Sequence, residues 1–211
     1  MGIKNLFFPA KCVLCGDLLR QGEVDFCHRC RCHWPQFGRP SHKVPYTDRW
    51  TAVWKYQDEV RDGLLRFKFG GRQSYAEAYG KQLALTVQRT FEEPFDCVVY
   101  VPISWRRRLK RGYDQVELLA QVAARELGLP CVKAVRKIRH TPPQSGIEDA
   151  AMRRANVLNA YRVIRPEAVA GHHLLLIDDI VTTGATMGEC ARMLRLSGAK
   201  TIHGLSVAAK A

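Results

Sequence analysis

An α/β domain built on a parallel sheet, preceded by a small cysteine-rich module, is the fold that the sequence predicts. Three observations predict it. Near the carboxyl terminus, the apolar runs Leu174–Ile177 and Thr201–Ala208 flank a helical stretch, the pattern of central strands covered on both faces. A similar pair lies upstream. There the apolar strand Cys97–Ser104 leads to a helix Gln115–Leu127 with Val116, Leu119, Ala120, Ala123 and Leu127 on one face. Finally, Cys12, Cys15, Cys27, Cys30 and Cys32 all fall before a turn-rich stretch marked by Pro35, Gly38, Pro40 and Pro45. The expected organisation is residues 1–48 as the cysteine module and residues 49–211 as the α/β domain.

Composition bounds the function. With 46% hydrophobic and 25% charged residues over 211 positions, the chain is neither disordered nor fibrous. Its length suits one α/β domain with a small appendage. No apolar run approaches the roughly 20 residues that span a bilayer, so no membrane insertion is expected. Leu6–Ala10 is too short for a signal-peptide core, and the cytoplasm is the expected location. There, cysteines serve metal binding or simple burial more often than disulfides. Cys97, Cys131 and Cys190, each among apolar neighbours, read as small buried residues. The net charge of +13 is concentrated: residues 102–139 hold ten basic and three acidic side chains. Such charge favours anionic partners without choosing among nucleic acid, a polyphosphate metabolite and an acidic protein.

Taken from the amino terminus, the first element is Cys12-x-x-Cys15, eleven residues, then Cys27-x-x-Cys30. Two such turns can place four thiolates around one cation, as in a zinc ribbon, and Gly16 after Cys15 suits a tight knuckle. A structural Zn2+ on Cys12, Cys15, Cys27 and Cys30 is expected, with Cys32, His28 and His33 left as non-ligands. In Leu64–Gly70, Lys68 alternates with Phe67 and Phe69, which reads as a strand with Lys68 facing either a ligand or solvent. After the strand at 97–104 comes a basic loop with Arg106, Arg107, Arg108, Lys110 and Arg111. Among the four tryptophans, Trp34, Trp50 and Trp54 read as packing residues, whereas Trp105 beside arginines is placed to stack on a base. Arg153 and Asn156, three apart, share one face of an expected helix.

The strand expected at His173–Val181 ends in Asp178-Asp179, then Thr182-Thr183-Gly184-Ala185-Thr186, before a helix with Met187, Cys190, Ala191 and Leu194 on one face. Acids at the carboxyl end of a parallel strand lie where α/β sheets bind ligands. The following hydroxyls, small residues and helix N-terminus form a cup for a phosphate. Carboxylates beside a phosphate would repel it unless they face another part of the same ligand. A vicinal diol satisfies that condition, so the group reads as a site for a ribose 5-phosphate.

The run Leu175-Leu176-Ile177-Asp178-Asp179-x-x-Thr182-Thr183-Gly184-x-Thr186 resembles the phosphoribosyl pyrophosphate (PRPP) motif of type I phosphoribosyltransferases. Upstream, Leu64–Gly70, Val101-Pro102-Ile103, Arg108-Leu109, Arg111-Gly112-Tyr113-Asp114-Gln115, Arg139-x-Thr141-x-x-Gln144 and Arg153-x-x-Asn156 occur in the order seen in the ComF (GntX-like) competence family. That resemblance implies a parallel-sheet type I phosphoribosyltransferase-like core behind a four-cysteine zinc ribbon. It implies PRPP bound by Asp178, Asp179, Thr182, Thr183, Gly184, Ala185 and Thr186, with Mg2+ accompanying the ligand. Arg106, Arg107, Arg108, Arg111 and Arg139 would face the pyrophosphate, and Arg139–Gly146 would cover the site. The implied role is DNA uptake in natural transformation, with single-stranded DNA and other DNA-uptake proteins as partners. Lys68, Trp105, Lys110, Arg136 and Lys137 are the DNA-binding candidates. A Mg-dependent phosphoribosyltransferase and a non-catalytic PRPP-sensing regulator are the alternatives; no catalytic residue and no nucleobase hood is assigned. One departure stands out: Asp114 replaces the Asn expected in Arg-Gly-Tyr-Asn-Gln.

Overall fold

The structure, a computed structural model, describes residues 10–141 and 150–210. Among the described residues, a short helix, His28–Cys32 (α1), precedes strand Arg49–Lys55 (β1) and helices Asp58–Phe69 (α2) and Tyr75–Thr90 (α3). Strand Cys97–Tyr100 (β2) leads to helices Trp105–Arg111 (α4) and Gln115–Leu127 (α5), then to short strands Cys131–Val132 (β3) and Val135–Lys137 (β4). Helix Ala150–Val157 (α6), which carries Arg153 and Asn156 as expected, precedes strand Tyr161–Val163 (β5). The chain closes with strand His173–Val181 (β6), helix Ala185–Leu196 (α7) and strand Thr201–Ala209 (β7).

Among the described residues, β1, β7, β6, β2 and β3 form a parallel sheet in that order. The apolar run of β6 explains its central place. Leu175 and Ile177 pack on one face with Phe67, Tyr79, Val116 and Leu119, while Leu174 and Leu176 pack on the other with Met187, Cys190 and Ala191. No alternation survives in such a strand because both faces are covered. Strands β4 and β5 pair separately and antiparallel.

Two sequence expectations are corrected here. Lys68 lies in helix α2, not in a strand. Val60, Leu64 and Phe67 recur at helical spacing and are buried, and Asp58 and Glu59 occupy the first turn. A three-residue window around Lys68 cannot separate the two periods. The basic segment after β2 is likewise a helix rather than a loop, and the strand stops at Tyr100 rather than Ser104. Arginine, leucine and lysine are good helix formers, and Gly112 at φ +80° ends the helix in the left-handed conformation.

The cysteine module is built into the same apolar core as the sheet. Cys12, Val13, Leu14, Phe26, Cys27 and Cys30 are buried with Trp54, Leu64, Phe67 and Tyr79. Phe26, Trp34 and Trp54 form an edge-on aromatic cluster with ring centroids 5.2–5.9 Å apart. Trp34, Trp50 and Trp54 thus pack as expected, whereas Trp105 is 63% exposed. Cys97 and Cys190 are buried, and Cys131 is half-buried. Among the described residues, no helix is long and apolar enough to cross a membrane.

Candidate functional site

Strand order places the site. From β2 the chain adds β3 on one side, then crosses back to add β6 and β7 on the other. That reversal makes the β2/β6 boundary a switch point, where a crevice opens beyond the carboxyl ends of the strands. Strand β2 ends with Tyr100 opposite Ile177, so Asp178 and Asp179 overhang it. Strand alternation sends their side chains to opposite faces.

Asp179 shares the face of Ile177 and meets two donors. Lys68 Nζ lies 3.0 Å from Oδ1, and Gln115 Nε2 donates to Oδ2 at 2.7 Å. Burial alone would raise the pKa of this carboxyl, but Lys68, Gln115 and Arg111 outweigh burial and hold it below the usual range. Asp178 accepts from the Asp179 amide at 2.8 Å. Desolvation first, then the neighbouring Asp179 charge, push its pKa well above the ordinary value. The acids therefore differ: Asp179 stays ionised while Asp178 holds its proton more tightly.

Thr182, Thr183 and Gly184 form the turn between β6 and α7, and Ala185 and Thr186 open the helix. Gly184 has φ +72°, and a Cβ there would lie 2.6 Å from Cγ2 of buried Val44. The Thr183 hydroxyl is buried without a hydrogen-bond partner, a donor left open beside the amides of a helix start. Arg153 Nη1 donates to Thr182 Oγ1 at 3.1 Å, so α6 reaches the turn. Gly184→Ala is expected to destabilise the chain by about 2 kcal/mol, a fall of roughly 4–8 °C in Tm by calorimetry.

The opposite wall is cationic. On α4, Arg107 and Arg111 are half-buried, while Arg106, Arg108 and Lys110 are exposed. Arg107 donates to the Thr141 carbonyl at 3.2 Å. Lys137 donates to Thr141 Oγ1 at 2.9 Å and lies 5.1 Å from the Tyr161 ring centroid. Burial and then the Arg107 charge lower Lys137 to about 8. Burial likewise lowers Arg111, with Arg107 again opposing its charge. Cations held this close repel one another, and an anion between them would relieve that repulsion.

Several expected site residues face elsewhere. Arg108 pairs with Glu117 at 3.1 Å, and Arg139 donates to the Asn156 and Leu158 carbonyls at 3.2 and 2.7 Å. Arg106 stacks on Trp105, with its guanidinium 5.5 Å from the ring. Arg136 is exposed on β4. Residues 142–146 of the expected covering loop, Gln144 included, lie outside the described residues.

Asp114 resolves the departure noted above. It caps α5, accepting from the Val116 and Glu117 amides through Oδ1 at 3.0 and 3.2 Å and from the Ile103 amide through Oδ2 at 3.1 Å. An Asn could accept with one atom only and would set an NH2 against the third N–H. Lys137 and Gln115 are the contributors the sequence left unassigned at the crevice. Lys137 was assigned to DNA rather than to the crevice, and Gln115 was visible only as part of a motif.

A separate cluster lies at the amino-terminal module. The Sγ atoms of Cys12, Cys15, Cys27 and Cys30 all fall within 4.8 Å of one another, with Cys15 and Cys27 at 3.6 Å. Thiolates on a tetrahedral ion with bonds of about 2.3 Å would sit about 3.8 Å apart. The donor set and spacing fit such an ion. Cys32 instead contacts His28, with Sγ 3.4 Å from Nε2.

Residues 116–211 match the family model of the phosphoribosyl transferase domain. The chain is 32% identical to the DNA utilization protein YhgH of Shigella flexneri, over 94% of this chain and 96% of that one. It is 26% identical to competence protein F of Haemophilus influenzae, covering 93% and 96% of the two chains. A solved structure of the allosteric regulatory enzyme of purine biosynthesis superposes with a TM-score of 0.47 at 19% identity, over 68% of this chain and 30% of that one.

Proposed function

The chain belongs to the family of competence protein F and YhgH and carries a phosphoribosyl transferase domain, and on that footing we propose that it handles incoming DNA and binds a phosphoribosyl ligand. The ligand class is PRPP or a related ribose 5-phosphate, accompanied by Mg2+. One observation carries the ligand reading: a buried acid pair, a hydroxyl-rich turn and a helix start converge at the switch point of the sheet. The turn takes the phosphate, the acids take the sugar diol, and Arg107, Arg111 and Lys137 take the pyrophosphate. The four thiolates hold a structural Zn2+, and the fit of donor type and spacing supports that assignment.

For DNA, the supporting feature is α4. It carries five cations and no acid, and Trp105 and Leu109 are exposed. A flexible single strand can lay phosphates on the exposed Arg106, Arg108 and Lys110 and stack a base on Trp105. Arg136, exposed on β4, is a further candidate. Lys68 and Lys137 serve the crevice instead, since each is engaged there.

The test is calorimetric titration with PRPP and Mg2+, with and without a single-stranded oligonucleotide. Saturable heat is expected for each ligand, with DNA affinity falling steeply as salt rises. Absence of heat with PRPP would remove the ligand reading, and no oligonucleotide binding at low salt would remove the DNA reading. Release of pyrophosphate with a panel of nucleobases would favour a transferase instead.

A pH effect follows from Lys137. Its depressed value of about 8 in the free protein rises when an anion binds, so affinity falls as pH climbs through the free value. Between about pH 7 and 9.5, PRPP affinity is expected to drop by up to tenfold per pH unit. Lys137→Met should flatten that profile, read by the same titration.

A further inference from the structure

We infer that Lys68 is a positioning residue of the sugar site, holding Asp179 for a ribose diol, and that the first cysteine knuckle fixes Lys68 in place through α2. The inference rests on the reading that the crevice takes a phosphoribosyl ligand.

Asp179 is 6% exposed, and a carboxylate so buried stays charged only beside a compensating partner. Lys68 is that partner at 3.0 Å, and its own side chain is 15% exposed. An ionised carboxylate offers about four lone-pair positions. Lys68 engages one oxygen and Gln115 the other, which leaves one acceptor direction on each. Either free direction can accept an O–H of a vicinal diol. Without the ammonium, Asp179 would take up a proton or rotate, and either change loses an acceptor.

Lys68 cannot drift, because the helix that carries it is fastened on both sides. On one side lies the knuckle. A Cβ on Gly63 would come within 2.5 Å of the Val13 carbonyl oxygen, so α2 meets the knuckle backbone directly. Arg66 Nη2 donates to the Leu14 carbonyl, and the Tyr79 hydroxyl donates to the Val13 carbonyl at 3.1 Å. On the other side, the Tyr113 hydroxyl donates to the Phe67 carbonyl, and the Arg111 guanidinium lies 4.8 Å from the Phe69 ring centroid. Val13 and Leu14 are the two residues between Cys12 and Cys15. The carbonyls of the metal-type knuckle and the sugar acid are thus joined by one helix.

The test compares dissociation constants for ribose 5-phosphate and for inorganic phosphate on the full chain. Both ligands use the turn at Thr182–Gly184, and only the first has a diol, so their ratio isolates the acid pair. Inorganic phosphate binding also reports that a variant is folded at the turn. The wild-type chain is expected to prefer ribose 5-phosphate. Lys68→Met should cut that preference by about tenfold or more, and Lys68→Arg should restore most of it. Arg66→Met, which frees α2 from Leu14 and leaves Lys68 present, should cut it by about threefold. An unchanged ratio in Lys68→Met, or a parallel loss of both ligands, overturns the positioning role. An unchanged ratio in Arg66→Met overturns the anchoring by the knuckle. A wild-type chain with no preference at all defeats the phosphoribosyl reading itself, which is a different outcome from either.

Discussion

Replacing Asp178 and Asp179 together by Asn is expected to weaken PRPP binding by about 30-fold or more, because a hydrogen bond to the ionised Asp179 contributes about 1.5–3 kcal/mol and one to the neutral Asp178 about 0.5–1.5 kcal/mol. The single variants should separate by stability. Asp178 has its pKa raised by burial and by its acidic neighbour. A carboxyl with a raised pKa in the fold weakens stability as pH climbs above its unfolded value, since ionisation is then favoured more in the unfolded chain. Asn cannot ionise, so Asp178→Asn should leave Tm at neutral pH unchanged or higher. Asp179 is the reverse: its lowered pKa contributes stability that is present above the unfolded value and lost as pH falls through the folded one. Asp179→Asn removes that contribution and strands the Lys68 ammonium, so Tm should fall. Calorimetric melts beside PRPP titrations read both effects. Equal melting behaviour of the two variants would contradict the unlike states assigned to the acids, and full PRPP affinity in the double variant would remove the acids from the site.

The local chemistry of the site was legible because it is contiguous. His173–Val181 reads as a strand and the structure keeps those bounds, while the helix expected after Thr186 already begins at Ala185. The four cysteines were legible for the same reason, since two knuckles state their own geometry. What stayed hidden depends on long-range assembly. Lys68 and Asp179 are far apart in the chain and meet only because α2 and α5 pack on the face of β6 that carries Ile177. Periodicity misread Lys68, because Phe-Lys-Phe fits a strand over three residues and a helix over twelve. The basic segment 106–111 was read correctly for charge and wrongly for shape. Charge is additive along a sequence, whereas helicity depends on a stop at Gly112 and on the absence of breakers before it. Arg139 was placed at the pyrophosphate by order in a motif, yet its guanidinium is spent on two carbonyls at the end of α6. Position in a motif does not fix where a long side chain points.

Stripping the proposed zinc is the larger perturbation. Structural zinc contributes about 10–16 kcal/mol in small modules, against a net folding stability of about 5–15 kcal/mol for a domain. Loss of the ion therefore rivals the whole margin. In this chain the module is not a free appendage, because Val13, Leu14 and Phe26 pack with Trp54, Leu64, Phe67 and Tyr79. Cys12→Ser, or exhaustive chelation, is expected to lower Tm by more than about 10 °C and to shift tryptophan emission to the red as Trp34 and Trp54 meet water. Cys32→Ser is the matched control: its exposed sulfur meets the His28 ring and lies outside the four-cysteine cluster, and it should change neither metal content nor Tm. Elemental analysis should find one zinc per chain in the wild type and in Cys32→Ser, and none in Cys12→Ser. A folded wild-type chain without stoichiometric metal, or a Cys12→Ser chain that melts like the wild type, would show that burial alone sustains the knuckle. The contacts argue against that result. The knuckle presents main-chain carbonyls at Val13 and Leu14 to α2 and α3, and carbonyls hold their hydrogen-bond partners only while the turn that aims them is itself held.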